Sequence, residues 1–369
     1  MRTPVGWSLL SGAAMLLAAT VFVSRANAAT FVYVGSSESQ DVNVLALAAS
    51  GDLIPIETVP VPGPAKPGGS LPMAVSPNKK LLFVALRNEP YSVVTFAIDP
   101  ASGKLALVGS GPLAHSMAYI ITDRSGKYLL SASYFGHEVT VSPIGANGIV
   151  GPPQQIVATK PNAHCVLIDP TNRYVLHTSL GGDLVYQEDF DAKTGQLSPN
   201  TPPTVSVKAG SGPRHMTFAP DYKFVYLIDE LDAAIHVFPW DANTGTMGAE
   251  VQVASALPPD FSGKPWAADI HVTPDGKYLY ASERTTSTLA AFRVDQNAGT
   301  LTYIDTYPTE KQPRAFNIDP SSRYLLAVGQ LSNSLTSYGI DAASGKLTKL
   351  KEYPMGKNPN WVEFVTFTH

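Results

Sequence analysis

Apolar residues in this chain come in short alternating or continuous blocks bounded by Gly, Pro, Asp and Asn, and few stretches keep the period of about 3.6 expected of a helix. The pattern predicts strands and turns throughout. One turn signal reads Pro-x-x-Lys/Arg followed by an apolar run. It occurs in SPNKKLLF from Ser76, DPTNRYVL from Asp169, APDYKFVY from Ala219, TPDGKYLY from Thr273 and DPSSRYLL from Asp319, with TDRSGKYLL from Thr122 as a variant. A second signal, a Ser/Thr/Asn/Ala-Gly step before a strand-like run, falls at Gly51, Gly103, Gly148, Gly195, Gly245, Gly299 and Gly345, 45 to 54 residues apart.

A repeat of that length built from short strands matches one four-stranded propeller blade with its turns. The first signal reads as the hairpin between the first two strands of a blade, the second as the turn between strands three and four. Six hairpin signals against seven glycine steps leave one blade incomplete. The chain opens on FVYVGSS from Phe31, a second-strand pattern, and closes on NWVEFVTF from Asn360, a first-strand pattern. The expected fold is therefore all-β: a seven-bladed propeller of four-stranded blades, closed by N- and C-terminal strands in one shared blade, with no sheet edge left open.

Arg2, the apolar run from Val5 to Val23 and the small-x-small step Ala26-Asn27-Ala28 predict a cleaved signal peptide over 1–28. The expected domain is then 29–369, periplasmic or secreted, without stable membrane association after cleavage. Losing Arg2 and Arg25 moves the net charge from −4 to −6, which argues against nucleic acid as a partner. The single cysteine, Cys165, allows no intramolecular disulfide, so a hydrophobic content of 44 % must supply the core.

Aligning the hairpin signals allows equivalent positions to be compared. Six residues before the signal stand Leu71, Ala118, His164, Arg214, Ala268 and Arg314; ten residues after it stand Arg87, Tyr134, Leu180, Glu230, Arg284 and Gln330. The two sets are symmetric about the turn and should meet across each hairpin at one mouth of the channel. His164, the pair Arg214 and Glu230, and Arg284 fall on three consecutive blades. One imidazole, one carboxylate and an excess of guanidinium suit an anionic substrate. Regular alternation would turn Cys165, His215 and Glu283 to the opposite face, making a Cys165–His164 nucleophilic pair improbable. No nucleophile elbow, phosphate loop or zinc spacing is present, so no cofactor or metal is expected; a cation held by channel carboxylates is left open.

The segments GPRHMTFAP from Gly212, DELDAAIHVF from Asp229, WAADIHVTPDGKYLYASERTTSTLAAF from Trp266 and PTEKQPRAFNIDP from Pro308 resemble the seven-bladed propeller lactonases. That family is typified by the bacterial propeller-type 6-phosphogluconolactonase and is related to the fungal carboxymuconate cyclase. The stretches from Ala132 and Ser179 depart from its usual Asn- and Gly-rich versions. The resemblance implies catalytic residues His164, Glu230, Arg214 and Arg284, with Arg214, Arg284 and Arg314 binding substrate. It implies hydrolysis of a sugar δ-lactone to the aldonate, with His164 or Glu230 as base. An exported enzyme would meet unphosphorylated lactones more readily than phosphorylated ones. The alternatives are a muconate-type cycloisomerase and a non-enzymatic binding propeller.

Overall fold

The computed structural model describes Met1 and residues 29–368; the expected leader, apart from Met1, lies outside the described residues. Seven antiparallel sheets surround a channel. Their innermost strands are Pro359–Phe367 (blade 1), Met73–Val75 (blade 2), Met117–Thr122 (blade 3), Ala163–Ile168 (blade 4), Pro213–Phe218 (blade 5), Ala267–Val272 (blade 6) and Pro313–Ile318 (blade 7). Each inner strand touches those of the blades on either side, and the circuit closes from blade 7 through blade 1 to blade 2.

Blade 1 is shared by the two ends of the chain. Ala29–Ser36 pairs with Pro359–Phe367 on one side, matching Ala29 with Phe367 and Gly35 with Trp361, and with Asp41–Leu47 on the other. Second strands such as Tyr174–Ser179 are buried along their whole length, whereas the outer strand Leu347–Pro354 shows most of its residues to solvent. The core thus lies between blades, as packed sheet faces require. Among the described residues no helix is long and apolar enough to cross a membrane.

The two turn signals prove to be halves of one contact. In the hairpin of blade 4, Asp169 Oδ1 accepts the backbone N–H of Arg173 at 2.8 Å and of Tyr174 at 2.9 Å, which fixes Tyr174 at the start of the second strand. The Tyr174 ring then lies against Gly245 of blade 5, which has φ 69°. The same contact joins Phe31 to Gly103, Tyr128 to Gly195, Phe224 to Gly299, Tyr278 to Gly345 and, closing the ring, Tyr324 to Gly51; Leu81 meets Gly148 in the remaining case. A Cβ at Gly245 would come within 2.0 Å of the Tyr174 ring and would sit in the left-handed region as well. Gly245→Ala should therefore cost about 2–4 kcal/mol, combining backbone strain with overpacking. The drop in Tm by calorimetry checks it; a loss under about 0.5 kcal/mol, the size of a neutral surface change, would show that the contact does not hold the blades.

Candidate active site

At one mouth of the channel lies a cleft of about 660 Å³, whose lining includes Arg87, Tyr134, His164, Glu230, Trp266, Arg284 and Arg314. Hairpin pairing explains much of this gathering, because Pro213 stands opposite Asp229 and Ala267 opposite Glu283 at the mouth ends of their blades.

Glu230 is the hub. Its Oε2 accepts Arg214 Nε at 2.7 Å and Arg284 Nη2 at 2.8 Å, and its Oε1 accepts Trp266 Nε1 at 3.3 Å. Burial pushes the Glu230 carboxyl up, but the two guanidiniums outweigh it and hold its pKa below the usual value. Arg284 is further fixed by the carbonyls of Trp266 and Ala267 and stacks 3.9 Å from the Trp266 ring. Arg214 is fully buried and also donates to the carbonyl of Ala268. It lines a smaller cavity beneath the cleft, of about 50 Å³, instead of the cleft itself.

Arg87 donates to Ser70 Oγ at 2.7 Å and Ser116 Oγ at 3.1 Å. Arg314 borders both the cleft and the lower cavity, and among the described residues its guanidinium has no ion-pair partner. Burial and the charges of Arg214, Arg284 and Arg87 pull its pKa well below the ordinary value, the mark of a cation crowded by cations. Among the described residues that line the cleft, Glu230 is the one carboxylate, beside the guanidiniums of Arg87, Arg284 and Arg314 and above that of Arg214.

His164 is buried, and its Nδ1 has no hydrogen-bond partner, so Nε2 is the nitrogen presented to the cleft. Burial, then Arg214, His215, Arg314 and Arg87, lower its pKa well below the ordinary value and keep the ring neutral at neutral pH.

Regular alternation does not survive at the mouth. The ladder shifts register in six inner strands, among them between Ala163 and Val166, Pro213 and His215, and Ala267 and Ile270. Such bulges set two residues against one and re-aim side chains beside a site. The freed amides find hydroxyls: Cys165 N–H donates to Thr178 Oγ1 at 3.0 Å and Asp269 N–H to Ser282 Oγ at 3.1 Å. As a result His215, expected on the opposite face, lines the lower cavity with its ring 5.1 Å from that of His164. Glu283 does leave the site, its carboxylate accepting the N–H of Trp266 and of Thr286. Cys165 is fully buried and lines neither cavity; burial raises its thiol to about 12. Among the described residues no three His, Cys, Asp or Glu side chains are placed to hold a metal ion.

All five expected residues therefore meet, four at the cleft and Arg214 below it. Arg87 and Tyr134 were legible as members of the aligned mouth positions. Trp266 carried no such signal, since it precedes the inner strand of blade 6.

This arrangement has known relatives. Residues 28–364 match the family described as Lactonase, 7-bladed beta-propeller. The chain belongs to this seven-bladed β-propeller lactonase family. It is 43 % identical over 288 residues to the 6-phosphogluconolactonase of Pectobacterium carotovorum subsp. carotovorum (strain PC1), covering 78 % of this chain and 84 % of the relative. Identity to the 6-phosphogluconolactonase of Serratia proteamaculans is 42 % over the same shares of both chains. Among solved structures, the periplasmic gluconolactonase of Pseudomonas aeruginosa superposes with a TM-score of 0.84 at 25 % identity, covering 92 % of this chain and 99 % of that one. Within this lactonase frame the cleft opens at the mouth where the bulged inner strands begin.

Proposed function

We propose that the protein hydrolyses a sugar δ-lactone bearing an anionic group, such as a 6-phosphate, to the open aldonate. The observation that carries this reading is Arg314, a guanidinium on the cleft that makes no ion pair among the described residues and has three further guanidiniums around it. A substrate anion would relieve that crowding. Similarity to relatives named 6-phosphogluconolactonase supports the same chemistry. A second reading, an unphosphorylated lactone met outside the cytoplasm, draws on the leader pattern from Arg2 to Ala28 and on the similarity to a periplasmic gluconolactonase.

His164 is the general base. Both Glu230 oxygens are already occupied by donors, whereas the neutral His164 presents Nε2 to the cleft. A water gives its proton to Nε2 as its oxygen attacks the lactone carbonyl; Arg284 stabilises the oxyanion. Collapse breaks the bond to the ring oxygen, which takes the proton back from His164, and the new carboxylic acid loses its own proton to water. Glu230 and Arg214 hold Arg284 in place. After burial, nearby cations depress His164, so an anionic substrate and a growing oxyanion make the ring a stronger base as the reaction proceeds. Because such a lactone also hydrolyses spontaneously, the barrier reduction demanded is modest and a site without a covalent nucleophile is sufficient.

The test compares glucono-δ-lactone with its 6-phosphate. Arg314→Ala should raise KM for the phosphate ester about 10- to 100-fold, the effect of one charge-assisted contact, and leave the unphosphorylated lactone nearly unaffected. In the wild type, kcat/KM should stay flat as pH falls through the ordinary imidazole value of 6.5 and decline only in more acid solution. Removing the Arg314 cation should move that decline to higher pH. Equal KM changes for both lactones would favour the second reading; no hydrolysis of either would sink both.

A further inference from the structure

Below His164 the lower cavity contains a chain of side chains that the hydrolysis described above does not use. Asp269 Oδ1 accepts His215 Nδ1–H at 2.8 Å, and Asp269 Oδ2 accepts His271 Nε2–H at 3.2 Å. The backbone N–H groups of Ile270 and Phe316 also donate to this carboxylate, at 3.0 and 3.3 Å. With four donors on it, Asp269 is an acceptor only, and His215 must carry its proton on Nδ1. Its Nε2 is then a bare lone pair. That nitrogen is buried with no hydrogen-bond partner, and so is Nδ1 of His164 on the neighbouring ring. The two rings meet at 61° with centroids 5.1 Å apart. Two buried, unpartnered polar atoms in one place are rare, because each forfeits a hydrogen bond it had in water.

The geometry points to a tautomer relay. Asp269 fixes His215 as the Nδ1–H form, and His215 Nε2 accepts the Nδ1–H of His164 through one bridging water. His164 is thereby held with its lone pair on Nε2, the nitrogen facing the cleft. His215 and Asp269 are positioning residues that keep the base in its base form; neither touches substrate. The inference rests on His164 being the base in lactone opening.

The surroundings agree with neutral imidazoles at both positions. His215 faces Arg214, Arg314, Asp269, the Tyr119 ring and Trp361; burial and Arg214 outweigh Asp269 and bring its pKa down to about 4. His164 faces Arg87, Arg214, Arg314, His215 and the Tyr134 ring. Despite burial, His271 and His215 hold the Asp269 carboxyl well below the usual range, so the anchor stays ionised. When His164 takes the proton from water, its Nδ1–H already points at an acceptor, and the imidazolium gains a partner at no reorganisation cost.

The experiment reads the tautomer directly, by ¹⁵N NMR of histidine-labelled protein, beside kcat and KM. In the wild type His164 should carry its proton on Nδ1. His215→Asn keeps a donor for Asp269 and removes only the acceptor at Nε2. It should leave the His164 proton distributed over both nitrogens and lower kcat about 10-fold or more, with KM within about two-fold, as loss of orientation rather than binding predicts. Asp269→Asn can donate to His215 Nδ1, which puts the His215 proton on Nε2 and drives the His164 proton to its own Nε2. Its kcat loss should be larger, about 100-fold, within the range for general-base catalysis. If His164 of the wild type is protonated on Nε2, or keeps its tautomer in both variants, the relay is wrong. If the tautomers behave as expected while His164→Gln hydrolyses lactone at the wild-type rate, the relay stands and His164 as the base falls.

Discussion

His164→Gln is expected to lower kcat for the sugar lactone about 100- to 10,000-fold, the range over which a positioned base acts. Glutamine keeps the volume and a polar end near Nε2 but accepts no proton. The effect should appear in kcat and in kcat/KM equally, because in the proposed mechanism the imidazole acts on water and not on substrate binding. His164 is buried against Tyr134 and His215. A folding check is therefore part of the measurement: a circular dichroism spectrum and Tm near those of the wild type, together with the lost activity, place the defect in the chemistry. A folded variant that turns over at more than about a tenth of the wild-type rate, far above what loss of a general base permits, would transfer the role to another group. Glu230 would be the first choice, and its ion pairs with Arg214 and Arg284 would then have to open during turnover.

Deleting the residues after Asn360 should abolish the soluble fold. The lost segment supplies nearly all of the inner strand of blade 1, which pairs with Ala29–Ser36 along its length. Trp361, Val362 and Val365 are buried there, at 9 %, 3 % and 2 % exposure. At about 1.5–3 kcal/mol for each large apolar side chain, their burial alone contributes about 5–9 kcal/mol, comparable with the 5–15 kcal/mol that separates a native domain from its unfolded chain. Truncation would also expose the ladder edge of Ala29–Ser36 and the channel-facing ends of blades 2 and 7, an invitation to edge-to-edge aggregation. Insoluble expression, or a soluble product without a cooperative melt, is the expected outcome. A monomeric truncated chain with an unchanged Tm would show that the ring does not depend on closure by its termini.

Much of this architecture was legible because it is written in local chemistry. Asp169 and Pro170 make a turn wherever they occur, and alternating apolar residues beside them make strands; repetition at about 50 residues then implies blades. The mouth positions followed from symmetry about each turn, which is why His164, Arg214, Glu230, Arg284 and Arg314 were found together. The bulges were not legible. Whether the inner strands keep regular register depends on how the Thr178 and Ser282 hydroxyls receive the amides of Cys165 and Asp269, and on which neighbouring carbonyls Arg214 and Arg284 reach in blade 6. The same irregularity sank Arg214 beneath Glu230 and brought His215 to the back of His164.

By itself, then, the sequence determined the number of blades, the way the ring closes and the set of residues at one mouth, since each depends on turns and alternation within a few residues. Only the tertiary structure decided which aromatic rests on which glycine, which guanidinium of the mouth is paired and which is not, and which histidine nitrogen meets the cleft. Those outcomes depend on contacts between blades, among side chains from residues some 50 apart or more, such as Tyr174 with Gly245, Arg284 with Glu230 and His215 with Asp269. Hydrogen bonding and burial settle them once the blades are packed, and no local pattern encodes that choice.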